Sequence, residues 1–421
     1  MATQTTGGGT TVSFGNTPQA VDDTFNFLAT NVGILSIGVL ANDLGGNAKV
    51  LWSVDNATSA NANTSPTANY APADLLKQDT TYATAAQGDA QSTDTSKLGA
   101  KIWINANGTI GYDSTSLAAQ LQALGANDTL TDTFTYAIRL GNGTLSWATA
   151  TVIFAGVNDA ATIAGASTGA VIEAGGVNNG NAGSPNASGT LAVQDVDNGQ
   201  AVFQTVATAS LAGTYGNFTF NSNTGAWTYV LDNTKSATQG LIANQVVHDT
   251  LTVKSADGTA SQVIDVTVTG SNDNATITGT ATGAVTEAGG VNNGNAGSPN
   301  ASGTLAVQDV DNGQAVFQTV ATASLAGTYG NFTFNSNTGA WTYVLDNTKS
   351  ATQGLIANQV VHDTLTVKSA DGTASQVIDV TVTGSNDNAT ITGTATGAVT
   401  EAGGVNNGNA GSPNASGTLA V

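Results

Sequence analysis

Short runs of alternating apolar and polar residues recur along the chain. Val263-Ile264-Asp265-Val266-Thr267-Val268-Thr269 alternates over most of its length, and so does Asp249-Thr250-Leu251-Thr252-Val253-Lys254. A period of two sends successive side chains to opposite faces, so each run predicts a half-buried β-strand. Ser255-Ala256-Asp257-Gly258 between them has turn chemistry and predicts a hairpin. Phe218-Thr219-Phe220 and Trp227-Thr228-Tyr229-Val230 flank Asn221-Ser222-Asn223-Thr224-Gly225, a second hairpin. Ala275-Thr276-Ile277 and Gly303-Thr304-Leu305-Ala306-Val307 read as two more strands, and residues 233–245 as one short helix or corner. About seven short strands, with turns every 8–12 residues or so, predict an all-β, Ig-like two-sheet sandwich.

The pattern then repeats. Residues 161–274 recur at 275–388 with a period of 114 residues and four differences: Ala164/Thr278, Ala166/Thr280, Ser167/Ala281 and Ile172/Thr286. A third copy starts at Ala389 and runs to Val421. Each repeat is long enough to be a domain, so the chain reads as a tandem array of sandwiches. The expected units are 1–159, 160–273, 274–387 and an incomplete 388–421. The first is a diverged relative. Its Asn105–Tyr112 parallels Asn221–Tyr229, Leu130–Thr135 parallels Val247–Thr252, and Gly156-Val157-Asn158-Asp159 parallels Gly270-Ser271-Asn272-Asp273. It also carries a polar insertion near residues 53–96, expected to be a surface loop. The partial third copy would leave strand edges open. It reads either as a cut through a longer protein or as strands that complete a neighbour's sheet.

Charge narrows the function. The chain of 421 residues carries 9 Lys and Arg against 29 Asp and Glu, a net charge of −20. That balance argues against nucleic acid and anionic lipid as partners and favours hard cations. There is no cysteine, so disulfides cannot stiffen the array, and metal ions are the obvious substitute. No stretch approaches the length of a membrane-spanning apolar helix. The polar residues 1–19 lack the basic and apolar regions of a signal peptide.

Each full repeat contains Glu173, Asp195, Asp197, Asp232, Asp249, Asp257, Asp265 and Asp273, or their equivalents 114 later, against Lys235 and Lys254. Asp195-Val196-Asp197-Asn198-Gly199 follows a strand, and Asp-x-Asp with Asn and Gly sets several oxygens on one turn, as Ca²⁺ requires. A site at the first junction would draw on Asp159, Glu173, Asp195 and Asp197. The next would draw on Asp273, Glu287, Asp309 and Asp311. The competing reading is that these are solvated turn residues. His248 and His362 have no second histidine or cysteine nearby, which argues against a transition-metal or nucleophilic site. Trp227 and Tyr229 share a strand face and read as core; the alternative is an exposed sugar platform.

One resemblance sharpens this picture. Gly283-Ala284-Val285-Thr286-Glu287, Ala301-Ser302-Gly303-Thr304-Leu305-Ala306-Val307-Gln308-Asp309-Val310-Asp311 and Gly327-Thr328-Tyr329-Gly330-Asn331-Phe332 resemble the VCBS repeats of large bacterial surface adhesins. So do Gly339-Ala340-Trp341-Thr342-Tyr343, Ser369-Ala370-Asp371-Gly372-Thr373 and Val380-Thr381-Val382-Thr383-Gly384-Ser385-Asn386-Asp387. Ala20-Val21-Asp22-Asp23 and Val39-Leu40-Ala41-Asn42-Asp43 resemble the cadherin-like modules that accompany them, often with RTX segments. Asn272-Asp273-Asn274-Ala275 departs from the family's Asn-Asp-Ala-Pro ending by lacking the proline. The resemblance implies tandem Ig-like or cadherin-like sandwiches, exported by type I secretion to the cell surface. The expected function is a non-enzymatic stalk or matrix component for adhesion or biofilm, with Ca²⁺ at the junctions. Expected partners are neighbouring copies, cell-surface or matrix components, and glycans. Two alternatives stand beside it: a self-assembling filament or surface-layer subunit, and a carbohydrate-binding accessory region of a secreted enzyme.

Overall fold

The computed structural model describes residues 19–56, 73–82 and 94–421. The chain is all-β, with tandem two-sheet sandwiches. In the first unit the strands are β1 Asp23–Leu28, β2 Ile34–Ile37, β3 Val50–Asp55, β4 Thr81–Tyr82, β5 Asp94–Thr95, β6 Lys101–Asn105, β7 Ile110–Asp113, β8 Thr129–Arg139 and β9 Leu145–Ala155. One short helix, α1 Ala118–Gln122, precedes β8. One sheet runs β1-β9-β8-β3; the other runs β2-β7-β6-β4, with β5 also on β6.

The reading of residues 53–96 as a surface insertion needs correction at its margins. Ser53–Asp55 complete β3, and Ser53 is fully buried with its hydroxyl donating to the Leu75 carbonyl at 2.7 Å. Leu75 is itself buried. Residues 57–72 and 83–93 of that segment, and 1–18 at the start, lie outside the described residues.

The first repeat contains β10 Thr162–Gly165, β11 Thr168–Ile172, β12 Asn186–Gln194, β13 Gly216–Phe220, β14 Ala226–Leu231, α2 Ser236–Gln239, β15 Val246–Lys254 and β16 Ser261–Thr269. Its sheets are β10-β12-β14-β13 and β11-β16-β15. The second repeats this arrangement with β17 Thr276–Gly279, β18 Thr282–Thr286, β19 Asn300–Gln308, β20 Gly330–Phe334, β21 Ala340–Leu345, α3 Ser350–Gln353, β22 Val360–Lys368 and β23 Ser375–Thr383. After it, β24 Thr392–Gly393 pairs with β25 Leu419–Ala420.

Alternation decides what each strand buries. On β14, Trp227, Tyr229 and Leu231 face the core, while Ala226, Thr228 and Val230 face out. Ile264, Val266 and Val268 of β16 meet them from the opposite sheet, and Phe218, Leu251 and Val253 belong to the same cluster. Burying an apolar side chain of this size contributes about 1.5–3 kcal/mol. The Trp227 indole N–H, buried with its ring, donates to the Ala166 carbonyl at 2.7 Å. Its ring is 1% exposed, so Trp227 is core and forms no sugar platform.

A buried carboxylate anchors each sandwich. Asp249 accepts from the backbone N–H groups of Thr214, Tyr215 and Gly216 at 2.8, 2.9 and 3.1 Å, and from the Tyr229 hydroxyl at 2.7 Å. Asp363 repeats the set, and in the first unit Asp132 takes the Tyr112 hydroxyl at 2.7 Å.

The strands that bury Val285 and Leu305 in the second repeat have no counterpart around residues 389–421, whose sequence is identical to 275–307. Val399 and Leu419 are consequently exposed.

Asp249→Ala leaves three backbone donors and a phenol without an acceptor. It is expected to destabilise its repeat by about 3 kcal/mol. The unaltered Asp363 repeat serves as internal reference in a urea titration. An early, separate transition is the expected result, and a single transition at the original midpoint would refute the assignment.

Candidate cation centres at the junctions

Strand direction determines which charges meet. Residues 158–161 enter the first repeat at one end. β10 pairs antiparallel with β12, matching Thr162 with Gln194, so the chain after β12 returns to the entry end. There the Asp159 N–H donates to Asp197 at 3.0 Å, and the Asp197 N–H donates to Asp195 at 2.9 Å. β11 instead pairs parallel with the last strand, matching Ile172 with Thr269. It delivers Glu173 to the exit end, where the Glu173 N–H donates to the Thr269 carbonyl at 2.9 Å. The nine residues of β12 span about 30 Å at ~3.3 Å per residue, and that length separates the two ends.

The expected grouping is therefore rearranged. Asp159, Asp195 and Asp197 gather at the first junction as predicted, but Glu173 is not with them. Glu173 lies at the second junction with Asp273, Asp309 and Asp311. Glu287 moves likewise to the far end of the second repeat, where its carboxylate accepts from the Ser385 N–H at 3.0 Å beside Asp387.

Four further residues belong to these joints, none of them anticipated as site residues. Asp257 and Asp371 sit in the hairpin turns before β16 and β23. Each accepts from the linker carboxamide of the preceding unit: Asn158 to Asp257 at 3.0 Å, Asn272 to Asp371 at 3.1 Å. Burial opposes the charge on Asp257, but hydrogen bonds from Ser255, Thr259 and Asn158 outweigh it and hold the carboxyl below its usual range. The joint is also stitched by backbone: the Asn198 N–H donates to the Ala123 carbonyl at 3.0 Å, and Asn312 to Gly240 at 3.2 Å.

A loop over residues 174–183 closes the exit end. The Gly176 N–H donates to Asn272 at 2.8 Å, and the Asn274 N–H returns to Gly176 at 3.2 Å. Gly176 has φ +81°, and a Cβ there would lie 2.5 Å from the Asn181 amide, so only glycine fits. Asn178 and Asn179 follow in the left-handed region, tolerated by asparagine more readily than by most residues. The Asn179 carboxamide donates to Gln239 at 3.0 Å, and Gln239 reaches Glu173 at 3.4 Å.

These carboxylates are buried without enough partners. Asp197 and Asp311 are 2% exposed, Asp273 4%, and Glu173 and Glu287 1%. Asp195 Oδ2 and Asp197 Oδ1 at the first junction have no hydrogen-bond partner; nor do Asp273 Oδ2, Asp309 Oδ2 and Asp311 Oδ1 at the second. None of them pairs with a lysine or arginine among the described residues. Burial pushes the Glu173 carboxyl up to about 7 against the pull of the Ser271 N–H, and repulsion from Asp273 and Asp311 adds to it. Burial also lifts Asp311 to about 6, helped by Asp309, Asp273 and Asp371. Asp197, Asp273, Asp309 and Glu287 are raised by the same cause.

Partnerless buried oxygens on like-charged groups are the environment a hard divalent cation relieves. Ca²⁺ takes about six to eight oxygens, from carboxylates, carboxamides, backbone carbonyls and water. The donors here are all oxygen, with no histidine, and the residues fit that group. Among the described residues no three acidic or histidine side chains close into a ready cage. Backbone carbonyls and water would complete the shell.

Residues 158–270 match the family of bacterial cadherin-like domains. Such domains are extracellular structural or adhesive modules. Among solved structures, the chain is similar to mouse cadherin-23 EC22-24, at 12% identity over 89% of this chain and 97% of that one, with a TM-score of 0.32. It is also similar to the protocadherin gammaB7 EC3-6 cis-dimer structure, at 14% identity over 87% and 72%, with a TM-score of 0.34. Drosophila N-cadherin EC1-3 follows at 10% identity over 87% and 99%, with a TM-score of 0.27. No curated protein matches the chain. No helix among the described residues is long and apolar enough to cross a membrane.

The raised carboxyls set a pH dependence. A group whose pKa is higher folded than unfolded binds protons preferentially in the folded state, so stability falls as pH rises between the two values. For Glu173 that window runs from 4.5 to about 7, and for Asp311 from 3.8 to about 6. In chelator, the melting temperature is therefore expected to be several degrees higher at pH 5 than at pH 7.5. Glu173→Gln should flatten the upper part of the trend. An apo chain equally stable at both pH values would refute it.

Proposed function

We propose that this chain is a non-enzymatic, extracellular spacer from a bacterial VCBS-type adhesin, serving as a stalk or matrix component. In this reading it consists of units 1–159, 160–273 and 274–387 followed by residues 388–421, with Ca²⁺ stiffening the joints between them. One observation carries this reading. Five acidic side chains from two successive units, Glu173, Asp273, Asp309, Asp311 and Asp371, are gathered at one joint, and three of their buried oxygens have no partner. A cation there would bind both units at once. Its binding energy would then restrict bending between them and oppose unfolding of either. Asp273 and Asp311 would be first ligands, with Glu173 and Asp309 beside them. The cadherin-like match over the first repeat and the net charge of −20 support an extracellular, cation-rich setting. Adhesion partners in this reading are neighbouring copies and matrix components.

The direct test is calorimetric titration of the full chain with Ca²⁺, paired with small-angle scattering in Ca²⁺ and in chelator. Binding should accompany a loss of flexibility. Asp311→Asn and Asp273→Asn should each weaken binding by on the order of tenfold. Absence of heat at millimolar Ca²⁺, or variants that bind like the original, would remove the cation from the mechanism.

A further inference from the structure

The two junctions are built from the same backbone but not from the same chemistry. In the first unit, β1 pairs parallel with β9, matching Leu28 with Ala155, as β11 pairs with β16. The next residue, Ala29, donates its N–H to the Ala155 carbonyl at 2.7 Å. Glu173 does the same to Thr269, and Glu287 to Thr383, both at 2.9 Å. Ala29 thus stands where both repeats place a buried glutamate. Two residues beyond Ala155, Val157 occupies the position of Ser271, whose N–H and hydroxyl hold Glu173 at 3.2 and 2.8 Å.

The closing loop is missing as well. β1 passes to β2 through residues 29–33, whereas β11 passes to β12 through residues 173–185, including the Gly176–Asn179 clasp. What remains at the first junction is an open cavity of about 320 Å³, lined by Ala29, Thr30, Val32, Leu121, Val157 and Asp159. The corresponding cleft at the second junction is lined by Asn178, Asn179, Gln239, Asp273 and Asp309. The Asp159, Asp195 and Asp197 half of the site is nevertheless retained, with partnerless oxygens on Asp195 and Asp197.

We infer that the array holds two classes of divalent-cation site: a tight centre between the repeats, and a weaker one between the first unit and the first repeat that empties first and turns that joint into the hinge. This rests on the cation reading above. Ligand charge count tunes affinity for Ca²⁺, so losing one of the carboxylates should weaken the first site by on the order of tenfold or more. Neither Ala29 nor Val157 carries a side-chain oxygen to offer in exchange.

The absence of cysteine allows the two joints to be observed separately in the full chain. Spin labels at the exposed pair Asn142→Cys and Thr252→Cys span the first junction; Thr252→Cys and Thr366→Cys span the second. Distance distributions followed through a Ca²⁺ titration should narrow for the second pair at a concentration at least severalfold lower than for the first. Ala29→Glu has the cavity to receive its side chain and should draw the first midpoint toward the second. Glu173→Gln should draw the second midpoint toward the first. Coincident midpoints in the original chain, with narrowing of both, would overturn the two-class inference and leave the cation reading intact. No narrowing of either pair, with no calorimetric heat, would instead overturn the cation reading itself.

Discussion

Parallel pairing of one short strand with the last strand of its sandwich governs the distribution of charge in this molecule. β11 runs the same way as β16, and that direction carries Glu173 to the exit end of its own repeat. The antiparallel β10–β12 pair, by contrast, returns Asp195 and Asp197 to the entry end. The entry end of each repeat supplies the Asp-x-Asp turn and a hairpin aspartate; the exit end supplies a glutamate and the linker. A complete acidic cluster therefore exists only where two units abut. One unit alone presents half of a cluster at each end.

That division makes the joints costly and useful together. Buried carboxylates that lack partners destabilise the fold by desolvation and mutual repulsion. The contrast with Asp249 is instructive. It too is a buried carboxylate, but four donors satisfy it, and it locks the sandwich from within. Asp273 and Asp311 have buried oxygens with no donor at all. Within one repeat, then, one class of buried acid is spent on the unit's own stability. The other keeps oxygens without a donor at the joint. The backbone bond from Asn312 to Gly240 and the carboxamide–carboxylate bond from Asn272 to Asp371 hold the successive units in contact.

Much of the architecture was legible from residues. Alternation located β14, β15 and β16 and assigned Trp227 and Tyr229 to the core. The hairpin turns at Asn221–Gly225 and Ser255–Gly258 lie between the strands they predicted. The acidic residues of the joints were visible too, but their grouping was not. Glu173 lies near Asp159 and Asp195 in sequence, and proximity along the chain concealed that two strands carry it to the opposite end. Strand length and direction were the missing information. Asp257 was read only as turn chemistry, because its contact with Asn158 crosses between units and leaves no local signature. The substitution of Ala29 for the glutamate was hidden by divergence of the first unit. Only the shared hydrogen bond to the last strand aligns the two positions.

The same β11–β16 pairing also bears on how tension would travel through the molecule. The second strand of a repeat and its last strand lie side by side, pointing the same way, over Thr168–Ile172 and Asp265–Thr269, after β10 has paired with β12 in the other sheet. Pulling the two ends of the repeat apart drags these strands past each other along their length. Their hydrogen bonds are then loaded in shear, all at once, and cannot be unzipped one after another. A repeat wired in this way resists extension through its β11–β16 pair, independently of how firmly its joints are held.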